Sequence, residues 1–446
     1  MNIYEKPNLT PVALTAQENA GSAEMEISPS IRVTTLPNGL RVATDLMPGL
    51  ESATVGVWTS CGARNETEAE NGVAHLLEHM LFKGTERRTA QAIAEEIEAV
   101  GGQMNAYTAR ENTAYYARVL KDDVALAVDI VADLLRNSTF DETELARERS
   151  VVLQEIGQAN DTPDDIIFDH FQAAAFPGQP MGRPVLGTPE TVSGMPRSAL
   201  TGYMDAHYAP SELILTAAGA VDHDRLVDQA FALFETMPAA QPPLSPKVDY
   251  RGGDFRDDQD LEQLHFVLGF QGAAIGDGDY YAQSMLSTVL GGGMSSRLFQ
   301  EVREKRGLVY SIYSFASAYC DGGVFGIYAG TGPAEIEELV PVVCGELESV
   351  IHKLEEVELA RARAQIKAGL LMSMESTMSR AEQLGQHLLV FGRPIGAKEI
   401  IARIDAVSAD DVRRAAAKLF STKPTVAALG PIARLESFDR IAGRLN

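Results

Sequence analysis

The segment Asn71-Gly72-Val73-Ala74-His75-Leu76-Leu77-Glu78-His79-Met80-Leu81-Phe82-Lys83-Gly84-Thr85 carries two histidines four positions apart. Its apolar spacing predicts a helix over 72–82. A helix repeats every 3.6 residues, so His75 and His79 share a face one turn apart. Two imidazoles so placed can hold one zinc ion. Glu78 projects beside that face and can take a proton from a water at the metal without ligating it. The other side chains (Val73, Ala74, Leu76, Leu77, Met80, Leu81 and Phe82) are apolar nearly all round, so the helix is expected to be buried. Three ionisable groups on a buried helix are costly unless they are paired or bind a metal.

Two histidines do not complete a catalytic zinc site, which needs a third protein ligand and an open position. A helix predicted over 141–158 offers Glu142, Glu144, Glu148 and Glu155. Glu148 and Glu155 lie seven apart, two turns, and share a face that Val151 and Val152 flank as a buried surface. Spacing alone does not choose between them.

Around these helices the chain alternates strand and helix signals. Apolar alternation at 31–36 and 40–44 flanks Pro37-Asn38-Gly39, a hairpin signature. Residues 53–60 read as a strand and 89–100 as a helix closed by Gly101-Gly102. Residues 104–108 and 113–119 read as paired strands. The predicted helices 122–137 and 141–158 each open on an Asp. Four prolines between Met237 and Pro246 forbid regular structure and divide the chain nearly in half. The halves echo one another. Val192-Ser193 leads through a helical stretch and Pro210 to Thr216-Ala217-Ala218-Gly219. Val407-Ser408 leads likewise through Pro424 to Ala427-Ala428-Leu429-Gly430. The expected fold is therefore α+β and duplicated. It comprises an N-terminal arm (1–28), a zinc-bearing half (29–236), a linker (237–250) and a homologous second half (251–446).

Composition bounds the function. At 446 residues, 45% apolar and 22% charged, the chain has material for two or three ordinary domains. A net charge of -24 argues against nucleic-acid binding, which wants a basic face. The charge suits a solvated surface, or a chamber that attracts basic peptides. Three scattered cysteines (Cys61, Cys320 and Cys344) form no disulfide framework and no thiolate metal pair. No apolar run approaches the ~20 residues of a membrane span. The arm lacks both the apolar middle of a secretory signal and the Arg-rich character of a mitochondrial presequence. These features point to bacterial cytoplasm, although a periplasmic form with its signal removed would read the same way.

Residues 71–85 resemble the signature of the pitrilysin-type zinc metallopeptidases, the inverzincins, and most of all the mitochondrial processing peptidase β-subunit and its bacterial homologues. In that family the third ligand is a Glu about 76 positions beyond the second His. The resemblance therefore implies Glu155 as ligand and Glu148 as the acidic residue that supports the site. Gly101-Gly102-Gln103-Met104-Asn105-Ala106-Tyr107-Thr108 resembles the family strand on which substrate is held as an added β-strand, with Asn105 and Ala106 touching its backbone. Residues 295–310 resemble the family's Arg/Tyr segment. By that likeness Arg303 grips substrate carbonyls and Tyr310 donates to the oxyanion.

The resemblance further implies two homologous domains, each a mostly antiparallel sheet packed with helices, forming half of a clam-shell dimer. One zinc ion per active subunit would serve an endopeptidase that cuts unfolded peptides or presequence-like segments inside a closed chamber. The chain carries both the zinc motif and the Arg/Tyr pair, so a homodimer would hold two complete sites. A heterodimer with an inactive homologue is the rival, as is a non-catalytic subunit. A peptide-binding protein with a structural zinc would need a fourth protein ligand, and the sequence offers none.

Overall fold

The Asn38-Gly39 turn forms the hairpin its sequence predicts. Strands β1 (Ile31–Thr35) and β2 (Arg41–Leu46) pair antiparallel, with Gly39 at φ 95°, a conformation a side chain would strain. The structure is a computed structural model that describes residues 29–239 and 241–445; the arm expected at 1–28 lies outside these residues. The first half continues through β3 (Ser52–Thr59), α1 (Val73–Leu81), α2 (Ala90–Ala99), β4 (Gln103–Thr108) and β5 (Thr113–Leu120). It then runs α3 (Val124–Asn137), α4 (Glu142–Asn160), α5 (Pro163–Ala175), α6 (Pro189–Gly194), α7 (Arg197–His207), β6 (Leu213–Gly219) and α8 (His223–Phe234). Residues 241–253 form no regular element. The second half begins with β7 (Asp254–Asp258), β8 (Leu264–Gln271) and α9 (Tyr280–Gly291). After a π-helical turn (Phe299–Glu304) come β9 (Val309–Ala318), β10 (Gly323–Thr331), α10 (Ile336–His352), α11 (Glu356–Ser373) and α12 (Thr377–Phe391). The chain closes with α13 (Ala397–Ala406), α14 (Ala409–Phe420), β11 (Thr425–Gly430) and α15 (Phe438–Gly443).

The two sheets share one plan. Their strand orders are β1-β2-β6-β3-β5-β4 and β7-β11-β8-β10-β9. In each, the last strand of the half inserts parallel to the first-lying neighbour (β2 or β7) and antiparallel to the next (β3 or β8). All other pairs are antiparallel. This is the duplicated α+β unit that the echo in sequence implied, with β1 as an extra edge strand.

One face of each sheet packs on helices of its own half. The core of the first includes Val55, Leu76, Leu77, Val131 and Leu134, and that of the second Phe266, Leu286, Phe325 and Leu339. The other faces are covered reciprocally. Helix α5 of the first half lays Ile167, Phe171 and Ala175 on Val267, Val324 and Ala427 of the second sheet. Helix α12 of the second half lays Ala381, Leu384 and Leu388 on Trp58, Ala218, Ala43 and Ile214 of the first. Strands buried on both faces cannot alternate, and β6 and β10 are accordingly buried along their full length.

Three local expectations need correction. Gly72 does not begin α1. It sits outside at φ 93°, where its backbone closes on Gly187, and a Cβ there would lie 2.8 Å from the Gly187 Cα. Asp141 caps α4 through Thr143 and Glu144 N–H, whereas α3 grows out of a 3-10 turn and has no side-chain cap. On α4, Val152 is buried but Val151 is exposed, so only one flank of the Glu148/Glu155 face meets the core.

Candidate metal centre

Helix α1 is buried by six apolar residues (Val73, Ala74, Leu76, Leu77, Met80 and Leu81), as its sequence required. They turn its remaining stripe, His75 and His79, toward α4. There Glu155 Oε2 lies 3.7 Å from His75 Nε2 and 3.5 Å from His79 Nε2. Ligands about 2 Å from a tetrahedral metal stand about 3.3 Å apart, so the three atoms have the spacing of a zinc triad. The donor set, two imidazole nitrogens and one carboxylate oxygen, is also zinc's. None of the other six histidines joins a metal-ligating cluster among the described residues. Burial, reinforced by His79, pushes His75 down to about 4 and keeps its ring neutral, the form that ligates.

Glu148, one of the two candidates on the shared face of α4, is not among the three converging groups. Its Oε2 lies 3.1 Å from His79 Nδ1 and fixes the tautomer that leaves Nε2 free for metal. Its Oε1 is held by Lys83 Nζ at 2.9 Å. In sequence Lys83 stands only as part of the motif, and nothing in its spacing announces this contact. Thr108 was likewise missed: from the end of β4 its hydroxyl donates to Glu78 Oε2 at 2.6 Å. Burial raises the Glu78 carboxyl, and the Thr108 bond opposes the rise. Glu78 thus stands beside the triad without joining it.

Strand β4 is the free edge of its sheet. Asn105 is exposed, and its Oδ1 accepts the Ala106 N–H at 2.8 Å. An added strand would have to take that amide from Asn105. Arg303 lies in the π-helical turn with its guanidinium 5.0 Å above the Phe299 ring, and Tyr310 is the second residue of β9, the free edge of the second sheet. Tyr310 is 67% exposed, and among the described residues neither it nor Arg303 bonds to the triad. A second acidic cluster, Glu111, Cys320 and Asp321, also converges. The Arg64 guanidinium sits among those groups and pairs with Glu111 and Asp321.

Comparison with known proteins gives the family. Residues 41–189 match the family model for insulinase (peptidase family M16), and 195–366 that for the peptidase M16 inactive domain. An uncharacterized zinc protease of Streptomyces coelicolor is 42% identical over 428 residues, 94% of this chain and 92% of that protein. A probable mitochondrial-processing peptidase β-subunit of Arabidopsis thaliana is 40% identical over 433 residues, 94% of this chain and 81% of that one. The crystal structure of a protease from Helicobacter pylori superposes with a TM-score of 0.85 at 23% identity, covering 90% of this chain and 100% of the other, and so shares the fold. The chain is a member of the M16, or insulinase, family of zinc peptidases.

Proposed function

We propose that the protein is a zinc endopeptidase that hydrolyses unfolded peptides or presequence-like segments. The observation that carries this reading is the convergence of His75, His79 and Glu155 with Glu78 held just outside them. When bound, zinc supplies a Lewis acid that lowers the pKa of a water toward ~7. Glu78, beside the triad, would accept the proton of the attacking water and return it to the leaving amine. Thr108 orients Glu78, while Glu148 and Lys83 orient His79. The free edge of β4 receives the substrate as an extended strand. Arg303 and Tyr310 of a second copy complete the site across a closed chamber. Their exposure, and their lack of bonds to the triad of their own chain, support that assignment. A heterodimer with an inactive homologue is the other arrangement the same surface could serve. The chain's charge of -24 makes basic peptides the substrates to try first.

The test is cleavage of an internally quenched basic peptide by wild type, Glu78→Gln and chelator-treated protein, with zinc measured on each. Cleavage by wild type alone, with zinc retained in Glu78→Gln, is expected. Bound zinc without cleavage in wild type would favour a partner-dependent or non-catalytic subunit.

A further inference from the structure

Helix α1 begins without a cap of its own, because its N-cap residue is Gly72. Its first N–H groups are buried and need acceptors. They find them in a residue from the preceding loop. Glu66, 3% exposed, accepts from Gly72 N–H at Oε2 (2.9 Å) and from Ala74 N–H at Oε1 (2.9 Å). Oε2 also accepts from Asn71 Nδ2 at 2.8 Å. All three partners are donors, so the carboxylate is the form they hold, even though burial pushes this carboxyl up to about 7. The backbone of Glu66 is itself pinned, since Arg183 Nη2 donates to its carbonyl. Asn71 is fixed in turn by Pro184 O at 3.0 Å and by the Thr191 hydroxyl at 2.7 Å. A negative charge at a helix N-terminus also complements the helix dipole. The capped amide of Ala74 immediately precedes His75.

We infer that Glu66 is a positioning residue for the metal centre: its carboxylate clamps the first turn of α1 and so sets His75 against Glu155. This rests on the zinc reading above. Glu66 borders a cavity of about 290 Å³ that Arg183 and His207 also line, so a shortened side chain there can be hydrated without collapse of the loop. Gln at this position would turn one acceptor into a donor facing donors, and Asp would keep the charge on a shorter stem.

The experiment compares wild type with Glu66→Gln, Glu66→Asp and Glu66→Ala. Ser408→Ala, which removes the same kind of cap from α14 far from the metal, serves as the control. Zinc release to a chromophoric chelator, kcat and KM on the quenched peptide, and hydrogen exchange of the 66–82 segment in metal-free protein are measured. Glu66→Gln and Glu66→Ala should release zinc about 10- to 100-fold faster, with kcat reduced, KM nearly unchanged and the 66–82 segment exchanging faster. Glu66→Asp should recover part of each loss, and Ser408→Ala should move none of them. Wild-type zinc release and kcat in Glu66→Gln, in a chain where wild type binds zinc, would overturn the assignment. So would faster exchange without any change at the metal, which would leave Glu66 a fold cap only. If Glu66→Ala fails to fold, the isosteric Gln and the Asp variants carry the comparison. Wild type without zinc would instead overturn the reading of the site itself.

Discussion

Single side chains here owe their chemistry to which partner reaches them. Glu148 and Glu155 look alike in sequence, yet one is closed off by Lys83 and His79 and the other opens onto both imidazoles. Histidines divide the same way. His387 on α12 accepts the Ile395 N–H at Nδ1 (3.2 Å), which only a neutral ring can do. Burial, aided by Arg393 and opposed by Glu399, pushes it down to about 4. The unfolded chain, with a pKa near 6.5, binds the proton first. His387 therefore contributes fully above about pH 6.5, and stability is lost as pH falls from there toward 4. The lowering corresponds to about 3 kcal/mol at most. Urea titrations of wild type and His387→Gln between pH 7 and 4.5 should show a shallower acid loss in the variant. Parallel curves would mean that the ring is not held neutral.

At the scale of elements, the covering helices are what the sequence did not disclose. The motif helix, the hairpin, β4 and β5, and the helix carrying Glu148 and Glu155 were all legible, because period and capping are local properties. Glu155 itself became legible only through the family likeness, since four glutamates on one helix gave no local reason to prefer it. Lys83 and Thr108 escaped because their partners come from other elements, and Glu66 because a loop carboxylate that reaches forward to a helix start follows no fixed spacing. The periodicity within α5 and α12 is local and does not say which sheet each covers.

The fit of α12 is close. Gly385 rests on the Trp58 ring, and a Cβ there would fall 2.9 Å from its Cγ and 3.0 Å from its Cδ2. Trp58 is fully buried and has no room to retreat. Gly385→Ala should therefore lower stability by about 1–3 kcal/mol, the usual cost of overpacking, despite its gain in helix propensity. A chemical-denaturation midpoint at or above wild type would show that α12 can lift from the sheet at little cost.

At the scale of the molecule, the exchange of α5 and α12 makes the two halves mutually dependent. Without α12 the first sheet would expose Trp58, Ala43, Ile214 and Ala218; without α5 the second would expose Val267, Val324 and Ala427. Polar bonds reinforce the exchange. Thr54 meets Thr377 at 2.8 Å, Thr216 donates to Ala381 O at 3.0 Å, and Arg380 pairs with Asp45 at 3.0 Å. Arg64 adds its link to Asp321 across the halves. By contrast the covalent connection through 241–253 has no regular structure, and Leu244 within it is 87% exposed. Association should thus rest on the exchanged helices rather than on the linker. A specific protease site inserted after Leu244 tests this. After cutting, the two fragments should co-elute in size exclusion without denaturant and keep their bound zinc. Each half expressed alone should fail to fold, because a sheet with one uncovered apolar face lacks much of its burial. If the cut fragments part in native buffer, the helix exchange is too weak to unite the halves. Any opening that admits substrate would then have to be sought within the chain instead of between chains.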